Sequence, residues 1–390
     1  MKTKTLEGFL EVFQENAKKL FFAPGRVNII GEHIDYNGGL VMPCALNLGT
    51  YLAVKMRDDK KINLASMNYE IFAKTDLNGL DFDQKHGWAN YPKAVIKIFN
   101  QEGHKLTGFD MYFTGDLPRG AGLSSSASLC MAISFAINSM FGFGLGSAEL
   151  TSICQKAESI NGVNCGVMDP FASAACKKDH AILLECTSLK YSQVPLDLGD
   201  WKIVIANTNK QRGLNESKYN ERRSECELAF NDLKKAVDIN ALCDLSPDEF
   251  MANAEKISCE TAKQRAKHAV FENERVKKAA KFAKHKQWSE FSRLMKESHE
   301  SLRDLYQVSC HELDSLVKHS YDCGEKKLTN LIYGARMTGA GFGGCTVNIV
   351  HKEDINCFKQ YVSEMYTKDT GMFADFYEAV PDDGAREVEI

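Results

Sequence analysis

Arg26, Glu32, His33 and Asp35 crowd one strand-to-turn junction, set among Val27, Ile29, Ile30 and Val41. Two carboxylates beside an imidazole can hold the hydroxyls of a polyol, because each carboxylate accepts two or more hydrogen bonds. A polar hairpin turn is the simpler alternative, but charge among aliphatic neighbours needs a partner or a purpose. Further on, Gly120, Ala121, Gly122, Leu123, Ser124, Ser125 and Ser126 precede an apolar run at 129–143. Glycine lets backbone approach a ligand closely. A helix N-terminus offers unpaired N–H groups and partial positive charge to a phosphate. Taken alone, this loop reads equally well as a serine-capped turn or as a cradle for nucleotide phosphates. Asp169 followed by Pro170 has the form of an N-cap with proline at the first helical position. A carboxylate there can also act as a base. The run from Gly339 to Gly344 matches G-x-G-x-x-G, yet a strand follows it where a dinucleotide site needs a helix. A tight turn explains it alone; a second close backbone approach is the alternative.

Several function classes fall away. The serine loop lacks the lysine of a Walker A motif, and no H-R-D or D-F-G marks a protein kinase. A net charge of -4 leaves no basic footprint for nucleic acid. Thirteen cysteines form no C-x-x-C pair and scatter through apolar segments, as at Cys44, Cys130, Cys154 and Cys345. That pattern suits reduced thiols in a cytosol. Lys2, Lys4, Glu7 and Glu11 interrupt any apolar leader at the N-terminus. The stretch 129–145 is short for a membrane span and broken by polar residues, so it reads as a core helix.

The elements that must position these groups follow from periodicity. At 390 residues the chain suits two domains. An amphipathic helix is predicted over 6–20, a strand over 21–30, and a hairpin turn at Asn37 and Gly38. Further strands are predicted at 51–56, 109–114, 181–184, 202–206 and 345–350, and helices at 88–99, 129–143 and 151–159. From 217 to about 319, mixed charges over a persistent apolar stripe predict a helical section. A domain boundary is expected between about 185 and 210.

Together these residues carry a resemblance. G-R-V-N-I-I-G-E-H-I-D-Y-N-G-G-L-V-M-P at 25–43, G-A-G-L-S-S-S-A-S at 120–128 and M-T-G-A-G-F-G-G-C at 337–345 resemble the three motifs of the GHMP small-molecule kinases. Within them, the first run, 207–223 and 298–310 are similar to the galactokinase family. The resemblance implies an α/β (α+β) fold of two domains: a ribosomal-S5-like domain over 1–195, and a ferredoxin-like domain with extra helices over 196–390. It implies transfer of the ATP γ-phosphate to the anomeric hydroxyl of α-D-galactose, the step that commits galactose to catabolism. Glu32, His33, Ile34, Asp35, Gly166 and Tyr219 would surround the sugar. Asp169 would be the catalytic carboxylate and Arg26 the cation beside it. Residues 120–126 would wrap the triphosphate, with Ser66, Trp88 and Tyr91 at the nucleotide, and Ser126 and Glu158 would coordinate Mg²⁺. Ile34 stands where the family usually has threonine, and Pro170 where it has glutamine. A kinase for N-acetylgalactosamine or arabinose, and a galactose- and ATP-binding sensor without turnover, are the rival readings. The expected partners are small molecules, with no nucleic acid or membrane, for a cytosolic monomer.

Overall fold

A computed structural model describes residues 1–118, 122–163, 166–210, 215–325 and 333–390. Among them are thirteen strands: β1 (Lys19–Asn28), β2 (Leu40–Val41), β3 (Pro43–Arg57), β4 (Lys61–Ser66), β5 (Ala73–Asp76), β6 (Gly108–Gly115), β7 (His180–Glu185), β8 (Tyr191–Pro195), β9 (Trp201–Asn207), β10 (Ala335–Thr338), β11 (Cys345–His351), β12 (Asp375–Ala379) and β13 (Arg386–Val388). The α-helices are α1 (Lys2–Phe13), α2 (Asn90–Gln101), α3 (Ser125–Phe141), α4 (Ser147–Ile160), α5 (Met168–Ala175), α6 (Asn215–Lys234), α7 (Pro247–Asn253), α8 (Glu260–Lys284), α9 (Trp288–Ser301), α10 (His311–Glu325) and α11 (Ile355–Thr370).

The first sheet has the order β13-β1-β3-β6-β4-β5, antiparallel except where β4 lies beside β6. A parallel pair needs a crossover, and β5 with α2 supplies it. Phe21, Leu52, Met111 and Phe113 on one face share a core with Val95, Phe99, Ile133 and Ile137 of α2 and α3. On another, Phe9 of α1 packs with Leu20, Ala53 and Tyr112. A small second sheet runs β2-β7-β8, and a third runs β10-β11-β9-β12. The third sheet is antiparallel and takes its strands in the split βαβ order of ferredoxin-like domains. The largest core passes from Val27, Ile29 and Val41 through Phe171 to Val276, Leu294, Met337 and Val347. The junction at 28–35 is therefore embedded in an apolar seam shared by both halves of the chain.

The structure departs from the periodicity in three places. The first helix stops at Phe13, because Gln14 turns left-handed (φ 57°) and its N–H returns to the Leu10 carbonyl. Asn37 and Gly38 do not close a hairpin. Asp35–Asn37 forms one 3-10 turn ended by Gly38 at φ 74°, after which Val41 pairs with Leu184 of β7 while β1 pairs with β3. The last strand returns to the first sheet, with Val388 opposite Leu20. No described helix is long and apolar enough to cross a membrane. The twelve described cysteines are free thiols.

Candidate active site

The pairing of β1 with β3 shifts register between Pro24 and Arg26. Gly25 occupies that irregularity, where a Cβ would meet Leu117 Cδ2 at 2.5 Å and the Leu123 carbonyl at 2.7 Å. Glycine thus lets the serine loop lie directly on the strand, and Arg26 N donates to the Leu123 carbonyl at 3.2 Å. Arg26 is 4% exposed. Its Nε and Nη2 both reach Asp169 Oδ1, at 2.8 and 2.7 Å, and its Nη1 donates to the Gly122 carbonyl at 2.8 Å. Asp169 Oδ2 accepts from Ser124 Oγ at 2.5 Å. Arg26, Gly122, Ser124 and Asp169 therefore converge. Removing either ion would leave the other uncompensated, at a cost of about 3–5 kcal/mol if the pair were fully buried. Asp169 is not the N-cap: α5 starts at Met168, Val167 caps it, and no side chain caps its N–H groups. The guanidinium claims the carboxylate instead. Pro170 still sits in the first turn, where no N–H has a helical partner to lose.

Asp35 lies close enough to this pair for the charge of Asp169 to act on it. Gly166 lies so close that a Cβ there would fall 1.7 Å from Asp35 Oδ2. Burial, then the negative charges of Asp169 and Glu32, push the Asp35 carboxyl up to about 6. His33 takes a left-handed backbone (φ 62°). Burial, then His268, hold its ring down at about 3, so it is neutral near pH 7. Its Nε2 contacts the Ala340 carbonyl at 3.2 Å, which accepts only, so Nε2 carries the proton and Nδ1 accepts from Tyr36 Oη at 2.7 Å. Tyr36 Oη continues to Tyr306 Oη at 2.8 Å. The Tyr219 ring lies 5.7 Å from His33 and 5.5 Å from Tyr36.

Two members of the expected sugar set are placed differently. Ile34 is fully buried in the core, and its carbonyl receives the N–H groups of Asn37 and Gly39; its side chain supports the turn. Glu32 is 2% exposed. Asn28 Nδ2 and Gly339 N donate to it, Thr338 Oγ1 lies 3.3 Å from Oε1, and Arg336 Nη2 lies 3.3 Å from Oε2. These donors occupy most of its acceptor capacity, so the structure makes Glu32 a strut of the loop. Nothing in the spacing of Arg336, Thr338, Gly339 and Ala340 announced that the third glycine motif would bind the first.

On the nucleotide side, Gly120 and Ala121 lie outside the described residues. Leu123 is a core residue, 2% exposed, and offers backbone only. Ser124 is the N-cap of α3 in a left-handed conformation (φ 60°), with no side-chain bond to the helix because its hydroxyl serves Asp169. Ser125 and Ser126 open the helix, Ser125 exposed. Trp88 stacks on Tyr69 with ring centroids 5.8 Å apart, meets Phe113 edge-on, and donates from Nε1 to the Ile71 carbonyl at 3.2 Å. Ser66 ends β4 opposite that same Phe113. Tyr69, which no reading of the sequence singled out, is 46% exposed over the largely buried Trp88. Tyr91 packs against the same core that contains Trp88. Glu158 is 1% exposed on α4, and α4 packs on α3, which carries Ser126. No group of His, Cys, Asp or Glu among the described residues forms a metal cluster. A carboxylate and a hydroxyl on adjacent helices are hard oxygen donors, and such a set fits Mg²⁺ better than a softer metal.

Comparison with known proteins agrees along the chain. Residues 7–56 match the galactokinase galactose-binding signature, 90–177 the GHMP kinase N-terminal domain, and 279–368 the GHMP kinase C-terminal domain. The chain is 47% identical to a Clostridium tetani galactokinase over 382 residues, covering 97% of this chain and 96% of that one. It is 47% identical to the Bacillus subtilis galactokinase over 386 residues, covering 98% and 97%. The crystal structure of Lactococcus lactis galactokinase complexed with galactose superposes with a TM-score of 0.93 at 39% identity, covering 99% of this chain and 100% of that one. A Methanococcus jannaschii mevalonate kinase, 17% identical with a TM-score of 0.66 over 93% of this chain and 98% of its own, shares the fold.

Proposed function

The chain belongs to the galactokinase family of the GHMP kinases and is a sugar kinase, and we propose that it converts α-D-galactose and ATP to galactose 1-phosphate and ADP. The observation that carries this reading is the Arg26–Asp169 pair, set close enough to Asp35 for the Asp169 charge to act on it, with Gly166 against Asp35. Asp35, ionised above about pH 6, accepts sugar hydroxyls, with the Gly166 backbone and Tyr219 beside it. The anomeric oxygen attacks the γ-phosphorus as the bond to ADP breaks. Its proton passes to Asp169 Oδ2, since Arg26 holds Oδ1. Arg26 also neutralises charge on the transferred group, a role in which arginines in other phosphoryl-transfer enzymes contribute ~10³-fold or more. The start of α3 and the Gly122 turn cradle the phosphates, and the Tyr69–Trp88 face receives the base. Ser126 and Glu158 would hold Mg²⁺, which when bound supplies charge neutralisation on the triphosphate.

In this reading the domains 1–195 and 196–390 meet at the cleft, with β13 lent to the first sheet. The free thiols suit a reducing cytosol, where we place the enzyme. A coupled ADP-release assay with galactose, glucose, N-acetylgalactosamine and arabinose tests the reading. ADP release with galactose above all others is expected. Preference for another sugar, or tight galactose binding without ADP release, overturns it.

A further inference from the structure

Arg336 on β10 is fully buried and takes no part in the steps above. Its Nη1 donates to the carbonyls of Asn28 at 2.7 Å and Ile29 at 3.1 Å, while Nη2 stands 3.3 Å from Glu32 Oε2. Two residues along the strand, Thr338 Oγ1 lies 3.3 Å from both the Asn28 carbonyl and Glu32 Oε1. Gly339 N donates to Glu32, and the Ala340 carbonyl accepts from His33. From α8, His268 Nε2 donates to the Glu32 carbonyl at 3.1 Å, and Glu272 Oε1 accepts from Gly31 N at 3.0 Å. Every residue from 28 to 33 except Ile30 is thus bonded to α8, to β10 or to the glycine turn after it. That segment leads directly into Asp35 and contains the left-handed His33, a backbone state that persists only where its surroundings enforce it.

We propose that Arg336 is a positioning residue for the sugar. It fixes the backbone that aims Asp35 and His33, so β10 and the glycine-rich motif it leads into serve the acceptor loop through Arg336, Thr338 and Gly339. The inference rests on the galactokinase reading. A planar guanidinium suits the task because one of its nitrogens serves both carbonyls while its delocalised charge faces the Glu32 carboxylate, a fixed arrangement that neither an ammonium nor an apolar side chain reproduces.

The test is steady-state kinetics of Arg336→Lys and of the nearly isosteric Thr338→Val. For Arg336→Lys we expect the galactose KM to rise roughly tenfold or more, the loss of charge-assisted bonds to a fixed backbone, with the ATP KM within about twofold of wild type. For Thr338→Val, which loses one neutral bond, we expect a rise of about two- to fivefold. A merely structural role would move both KM values together or lower thermal stability alone. Either pattern, or an unchanged galactose KM in both variants, overturns the proposal. If Arg336→Lys does not fold, Thr338→Val decides alone. An active wild type with insensitive variants defeats only the positioning role; a wild type that does not turn over galactose defeats the activity reading as well.

Discussion

Replacing Asp35 with asparagine separates the two jobs given to this carboxylate. Its pKa rises from 3.8 to about 6, through burial first and then through Asp169 and Glu32. A shift of that size favours the neutral form by about 3 kcal/mol in the folded protein, an upper bound because the group is partly exposed. A raised carboxyl stabilises the fold fully below its unfolded value and loses that contribution as pH rises through about 6. Asparagine keeps the shape and never ionises. Asp35→Asn is therefore expected to be more stable than wild type at pH 8, by up to about 3 kcal/mol, with the gap closing near pH 4. Sugar binding moves the other way. Protonated Asp35 loses acceptor capacity, so the wild-type galactose KM should climb as pH falls through about 6, while the variant's KM is high and flat. Urea unfolding of both proteins from pH 4 to 8, with KM measured at each pH, reads both effects. A stability gap that ignores pH, or a variant less stable at pH 8, would refute the cleft electrostatics.

Gly166→Ala would place a methyl 1.7 Å from Asp35 Oδ2; the galactose KM should rise at least about tenfold with the ATP KM unchanged, and parallel changes in both would count against the assignment. Ser124→Ala removes the 2.5 Å bond to Asp169 Oδ2, so kcat should fall about ten- to hundredfold, the usual worth of a hydrogen bond to a charged group; an unchanged kcat would free Ser124 from this role. Stripping divalent cations with a chelator should abolish ADP release until Mg²⁺ is restored, yet leave galactose binding by calorimetry intact, because Asp35 and Gly166 need no metal. Loss of both together would place the metal at the sugar instead.

The sequence singled out Arg26 and Asp169, which the structure brings into contact, because both sit in runs whose residue types have few alternatives. It could not show that Asp169 lies inside α5 and not at its cap. That depends on Arg26, distant in sequence, outcompeting the local N–H groups. The inward turn of the Ile34 side chain was hidden for a related reason: in a run dense with polar residues, only the packing against Gly39 reveals which side chain faces the core. The Asn37–Gly38 signal did mark a turn, but β7 captured the following strand, a long-range pairing that no local pattern encodes. The bond from the third glycine motif to Glu32 was hidden likewise, since a backbone N–H carries no sequence signature. Short β5 and β8 went unread because half-exposed positions on edge strands dilute alternation.

The central claim is that Asp169 works on the bound sugar's anomeric hydroxyl. Single-turnover phosphoryl transfer by Asp169→Asn, beside calorimetric galactose binding by the same protein, tests it most directly. The account expects binding within a few-fold of wild type and galactose 1-phosphate formation slower by ~10²-fold or more, the usual range for loss of a general base. Transfer at the wild-type rate by a variant that still binds galactose would contradict it.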